Sequence, residues 1–161
     1  MPRRPQILDE LRQTRPFPSR ADEALVSLLR TTDVVRRHLG RCTDASEVTP
    51  QQYNVLRILR GAGEDGIPTL EIASRMIEQT PGITRLLDRL EAKGLVRRER
   101  CPEDRRQVLC WITEPGLALL AELEKPVAQA AKDAFRNLTA TEVETLLRLL
   151  ERLRSTCTAT A

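Results

Sequence analysis

The stretch TLEIASRMIEQTPGITRLLDRLEAKGLVRRERCPEDRRQVLCWI, residues 69–112, changes its hydrophobic period partway along. Ile83, Leu86, Leu87 and Leu90 stand at i, i+3, i+4 and i+7, which predicts a helix with one buried face. Thr80-Pro81 supplies its start, a capping hydroxyl followed by a residue suited to the first helical position, and Gly94 supplies its end. From Leu95 the period becomes two. Leu95–Arg100 and Gln107–Ile112 read as paired strands, with Val108, Cys110 and Ile112 alternating on a half-buried face. Upstream, Thr69 reads as the cap of a shorter helix whose apolar side is Leu70, Ala73, Met76 and Ile77.

Helical patterns surround this centre. A short one around Ile7, Leu8 and Leu11 is cut off by Pro16 and Pro18, which forbid a continuous helix. A long one follows Ser19, carries Leu25, Leu28, Leu29, Thr32, Val35 and Leu39, and ends by Gly40. Thr49-Pro50-Gln51-Gln52 is a capping box that opens a helix burying Val55, Ile58 and Leu59, with Gly61 and Gly63 as its stop. Thr113 caps a long helix with Leu117, Leu120, Val127, Ala131, Ala134 and Leu138, which Pro126 should bend. Thr139-Ala140-Thr141-Glu142 is a second capping box, opening a last helix with Val143, Leu146, Leu150 and Leu153. The fold class expected is therefore mainly α with one small β-hairpin.

Composition narrows the chemistry. At 161 residues and 40% hydrophobic, the chain can bury roughly 70% of its unfolded surface without a disulfide or metal staple. No apolar run approaches the ~20 residues of a membrane span, and no apolar core follows the basic start Arg3-Arg4, so a cytoplasmic protein is expected. Cys42, Cys101, Cys110 and Cys157 lie far apart without CxxC pairing, and the sole histidine, His38, has no ligand partner at helical spacing. No metal and no cofactor is expected. An enzyme is a weak competitor, since His38 would be the only imidazole and no nucleophile triad or Gly-rich phosphate loop is present. With only Phe17, Tyr53, Trp111 and Phe135 as aromatics, stacking on single strands has little support.

The net charge is only +3, but residues 75–106 hold nine Arg or Lys against six Asp or Glu, so the whole excess falls there. Two helices and a hairpin, with positive charge on the second helix and the hairpin, describe a winged helix-turn-helix. Away from the apolar face the second helix offers Thr84, Arg85, Asp88 and Arg89. Arg85 can pair with guanine in the major groove, and Thr84 can touch a base edge or a thymine methyl. Thr80, Pro81 and Gly82 lie at the helix start, where small residues permit close approach and the dipole favours phosphate. Ser74 and Arg75 are candidate phosphate contacts. Arg105 and Arg106 stand at the hairpin tip, ready for a minor groove, with Asp104 stabilising the wing. The blander alternative is a solvated face, its arginines salt-bridged to Asp88, Glu91 and Asp104.

The run LLDRLEAKGLVRRERCPEDRRQVLCWITEPG, residues 86–116, resembles the recognition helix and wing of the MarR family of bacterial transcription regulators. The wing pattern is Asp104-x-Arg106, then Ile112-Thr113 and Gly116; the family usually has Leu-Thr where this chain has Ile-Thr. TPQQYNVLRILRG, residues 49–61, resembles the family's preceding helix, whereas the turn at Ile77-Glu78-Gln79 lacks the glycine often found there. The resemblance implies a homodimer that places two winged domains on a pseudo-palindromic operator in double-stranded DNA. It divides the chain into residues 1–48 for dimerisation, 49–116 for DNA binding and 117–161 for dimerisation. The surplus of Leu146, Leu147, Leu149, Leu150 and Leu153 supports the dimer independently.

The resemblance also implies a ligand-responsive repressor with a pocket for a small aromatic or anionic effector. His38, Tyr53 and Arg57 are its candidate lining residues, each with a plain packing or surface role as the alternative. Two alternative functions remain open from the sequence. One is redox sensing through Cys101, which follows Arg100 and is expected to be exposed. The other is a winged-helix module that binds protein, against which the arginine-bearing face argues.

Overall fold

The computed structural model describes residues 6–43, 46, 48–78 and 82–159. The order of elements is α1 (Gln6–Glu10), α2 (Arg20–Gly40), α3 (Pro50–Ala62), β1 (Ile67–Pro68), α4 (Thr69–Arg75), α5 (Ile83–Ala92), β2 (Val96–Arg100), β3 (Val108–Ile112), α6 (Glu114–Phe135) and α7 (Ala140–Thr158). The mainly helical class with a small wing is what the structure shows. None of the described helices is long and apolar enough to cross a membrane.

Helix starts follow their capping chemistry. The side chains of Ser19, Thr49, Thr113 and Thr139 each accept from a first-turn amide, and the Thr49–Gln52 and Thr139–Glu142 boxes are both closed. Two starts differ from expectation. Thr69 is not a cap: α4 begins at it, and its hydroxyl donates instead to the Val108 carbonyl at 3.2 Å, tying α4 to β3. Helix α5 begins at Ile83 with Gly82 as its N-cap in the left-handed region, φ +111°. Thr80 and Pro81, the expected start, lie outside the described residues.

The hairpin carries a third strand that periodicity could not reveal, because β1 is only two residues long. The sheet order is β1-β3-β2, antiparallel, with Ile67 opposite Cys110 and Val96 opposite Ile112. One core joins α3, α4, α5, the sheet and α6 through Val55, Leu56, Leu59, Ile72, Leu87, Leu90, Cys110 and Leu120. Ile58, Ile83 and Ile112 are half-buried at its edge. On α4 the buried residues are Ile72 and, just past its end, Met76, while Leu70 and Ile77 are 82% and 79% exposed. The expected apolar side holds for Met76 and fails at Leu70 and Ile77: Ile72 fills the buried face of α4 instead, and Ile77 lies beyond the helix end at Arg75. Helix α6 runs through Pro126 and stops at Phe135, and it buries Leu120, Leu123 and Ala130 while Leu117 and Leu138 stay exposed. Gly61 lies inside α3; the stop is Gly63 alone.

Close packing fixes where the wing meets α6. A Cβ built on Gly116 would clash with the Leu95 carbonyl oxygen and lie 2.8 Å from Ile112 Cγ1. Gly116→Ala should therefore cost about 1–3 kcal/mol, read as a lower urea midpoint at constant slope. Gly61 has open space around it in a helix, so Gly61→Ala should stabilise by roughly 0.5–1 kcal/mol. Equal midpoints for the two variants would refute this packing.

Candidate nucleic-acid interface

The face of α5 opposite Leu86, Leu87 and Leu90 presents Thr84, Arg85, Asp88 and Arg89, all exposed. Gly82 supplies no side-chain cap; its carbonyl accepts from the Arg85 amide at 2.9 Å and the Leu86 amide at 3.3 Å, and the positive end of the helix dipole favours an anion there. Acidic residues on the same helix would normally blunt its arginines. Here a strand residue engages them. Arg98 of β2 donates from Nη2 to Asp88 Oδ1 and to Glu91 Oε2, each at 2.6 Å, and from Nε to Glu91 Oε2 at 3.0 Å. The Glu91 hydrogen bond, with help from Asp88 and against desolvation, pushes the Arg98 guanidinium pKa up. Neither the Arg85 nor the Arg89 side chain makes a hydrogen bond or ion pair with another described residue. The salt-bridged reading of this face thus applies to Arg98, not to the two arginines that point outward.

The wing turn is organised by Asp104. Its carboxylate accepts from the Arg106 amide and the Gln107 side-chain amide, both at 3.0 Å, and its carbonyl accepts from the Gln107 amide at 2.9 Å. The Cys101 amide closes the turn on the Gln107 carbonyl at 3.0 Å. Arg105 and Arg106 are exposed at this tip. At the base of the wing, Arg97 lies over the Trp111 ring, 4.3 Å from its centroid, and the Trp111 indole donates to the Glu64 carbonyl at 2.9 Å. On α4, Ser74 donates to the Glu71 carbonyl at 2.8 Å and Arg75 is ion-paired with Glu71. Both are exposed, and part of the Arg75 charge is matched locally.

The remaining sequence candidates do not converge. His38 donates through Nε2 to the Ala130 carbonyl at 3.1 Å, bridging α2 to α6. Tyr53 packs against the winged core, and Arg57 is exposed on α3. No hydrogen bond joins any two of the three. Cys101 is half-buried rather than exposed, and its backbone amide is pinned to the Gln107 carbonyl just past the end of β2. Cys110 is fully buried, and that burial pushes its thiol pKa up, away from thiolate chemistry. Among the described residues, no three His, Cys, Asp or Glu side chains converge as metal ligands.

Sequence reasoning passed over two positioning residues. The Asn54 side chain accepts from the Ile77 amide at 3.0 Å and so anchors the chain between α4 and α5 to α3. Arg98 was hidden in the run Arg97-Arg98-Glu99-Arg100, yet a signal existed. Strand pairing sets Arg98 opposite Cys110, on the inward face, and an inward arginine needs acidic partners.

Comparison with known proteins agrees with this geometry. The model of the MarR family matches residues 48–108. The multiple antibiotic resistance protein MarR of Salmonella typhimurium is 34% identical over 118 residues, 73% of this chain and 81% of that protein. The solved MarR transcription factor from Planctomyces limnophilus is 43% identical and superposes with a TM-score of 0.66, covering 84% of this chain and 98% of its own. A cysteine-to-serine MarR mutant from E. coli, solved in complex with operator DNA, is 31% identical with a TM-score of 0.71, covering 78% and 89%.

Removing the Arg98 donors should leave two carboxylates facing each other beside the sheet. Arg98→Met is expected to lower stability by about 1–3 kcal/mol in urea unfolding, and Arg98→Lys to recover only part, since a point charge cannot reproduce the fork. An unchanged midpoint in Arg98→Met would contradict the clamp. In a thiol-labelling time course at pH 8, Cys157 should react first and Cys110 only as the fold opens. Labelling of Cys110 at the rate of Cys157 would show that the core is not closed.

Proposed function

Because this chain belongs to the MarR family of transcription regulators, we propose that it is a dimeric regulator binding a specific sequence in double-stranded DNA, and a repressor released by a small ligand. The observation that carries the reading is the division of charge at α5. Arg98 holds Asp88 and Glu91, while Arg85 and Arg89 on α5 and Arg105 and Arg106 on the wing stand exposed. On this reading α5 enters a major groove. Arg85 pairs with guanine O6 and N7, Thr84 touches a neighbouring base, and Gly82 lets the backbone approach. Arg89, Ser74 and Arg75 meet phosphates, as would Thr80, while Pro81 joins Gly82 in permitting close approach. Arg105 and Arg106 reach the adjacent minor groove. The operator complex of the E. coli relative supports the same class of partner.

Residues 49–116 form the reading unit in this proposal, and residues 1–48 and 117–161 join two copies. Support comes from apolar surface. Helices α2 and α7 bury no residue within one chain, and Leu25, Leu29, Leu147, Leu149 and Leu153 are all close to half exposed or more. A second copy is the simplest cover for such a face, and a two-fold dimer matches a two-fold site. The ligand-responsive part rests on family membership, with a small aromatic or anionic compound as the effector. Arg57, exposed and without a described partner, is the side chain best placed to meet an anion.

The test begins with a duplex selected from a random library. Its dissociation constant should rise steeply with salt, as phosphate contacts require. Arg85→Ala should weaken binding by about 1–3 kcal/mol and relax the base preference, with helicity unchanged. Sedimentation at micromolar concentration should give twice the chain mass. An Arg85→Ala variant with native affinity and native preference would overturn the assignment.

A further inference from the structure

We infer that Leu70 is a base-contacting residue of this interface, its methyl groups reading the C5-methyl of a thymine; the inference rests on the DNA-binding reading above. Leu70 is the most exposed of the large hydrophobic side chains among the described residues, at 82%. The exposed leucines of α2, α6 and α7 belong to the helices assigned to dimerisation. Leu70 belongs to the winged domain and borders a cleft whose other walls include Thr84 at the start of α5 and Arg106, Gln107 and Val108 in the wing. Two of those walls, Thr84 and Arg106, are groups assigned to the duplex.

The chain leading into Leu70 is tied to the sheet. Pro68 pairs with Leu109 in the sheet, and the Thr69 hydroxyl is bonded to the Val108 carbonyl at 3.2 Å. The buried face of α4 is already filled by Ile72. The leucine is therefore held outward on a fixed frame, which lowers the ordering cost of a contact. The rim chemistry selects the occupant. Glu71 is ion-paired with Arg75 and Arg98 with Asp88 and Glu91, while Arg106 makes no ion pair with a described residue. The cleft thus sets an apolar group between Thr84, assigned to the major groove, and the open cation of Arg106, assigned to the minor groove. On the Thr84 side, the apolar group that a duplex presents is the thymine methyl of the major groove.

The experiment uses the duplex selected above, with each thymine replaced in turn by deoxyuridine, which lacks only that methyl. Wild-type affinity should fall about fourfold at one thymine per half-site, the equivalent of one buried methyl group. Leu70→Ala, at an exposed helical position that alanine suits, should bind the thymine duplex more weakly by a similar factor and lose nothing further at that position. The inference is overturned by a flat deoxyuridine scan in the wild type, or by a Leu70→Ala variant that keeps the full loss at every thymine. It is equally overturned if Leu70→Ala weakens binding uniformly while its sedimentation changes, which would make Leu70 a contact between copies. Failure of the wild type to select any duplex would instead sink the DNA-binding reading itself, and the inference with it.

Discussion

The interface depends on one buried junction, where the last turn of α5 runs into β2 and is gripped by the start of α6. Leu90 is fully buried there, and its carbonyl accepts from the Leu95 amide at 3.0 Å. Thr113 then locks the turn. Its hydroxyl donates to the Gly94 carbonyl at 2.6 Å while accepting from the Gly116 amide at 3.2 Å, and its own amide donates to the Leu95 carbonyl at 3.1 Å. One side chain thus caps α6 and fixes the exit of α5. Gly116 lets the two backbones meet at that spot, since any Cβ would strike Leu95. The outward arginines of α5 are aimed by this junction, not by side-chain contacts of their own.

Charge follows the same logic. A strand arginine that faces inward must be neutralised, and the nearest acids sit on α5. Arg98 satisfies itself on Asp88 and Glu91, and in doing so it both stitches the wing to the helix and clears negative charge from the helix's outer face. A net charge of +3 for the whole chain is modest, yet it is concentrated where these two elements meet. Placement, more than amount, makes the surface suitable for a polyanion.

Much of this was legible in the sequence because local chemistry and tertiary packing agree. The Thr49–Gln52 and Thr139–Glu142 capping boxes, the Leu86–Leu87–Leu90 face and the alternating strand around Cys110 all form as written. What escaped has physical reasons. β1 is too short to show a period, and it forms only because β3 offers an edge to Ile67 and Pro68. Helix α4 buries Ile72 and ends at Arg75, so periodicity misassigned Leu70, on its outer face, and Ile77, past its end, to the core. Arg98 looked like one charge in a run, and only the strand register shows that it turns inward. The long-range bridge from His38 to Ala130 spans α2 and α6, a distance in sequence that no spacing rule reaches.

The account stands on α5 and its wing acting as one rigid reader, presented twice. Footprinting of the selected duplex with dimethyl sulfate, which reports guanine N7 in the major groove, and with hydroxyl radical, which reports the minor-groove sugars, tests that directly. Two protected major-groove patches should appear, related by a two-fold axis, with their centres about one helical turn or a whole multiple of it apart and minor-groove protection flanking each. A single unpaired patch, or protection without flanking minor-groove contact, would contradict it.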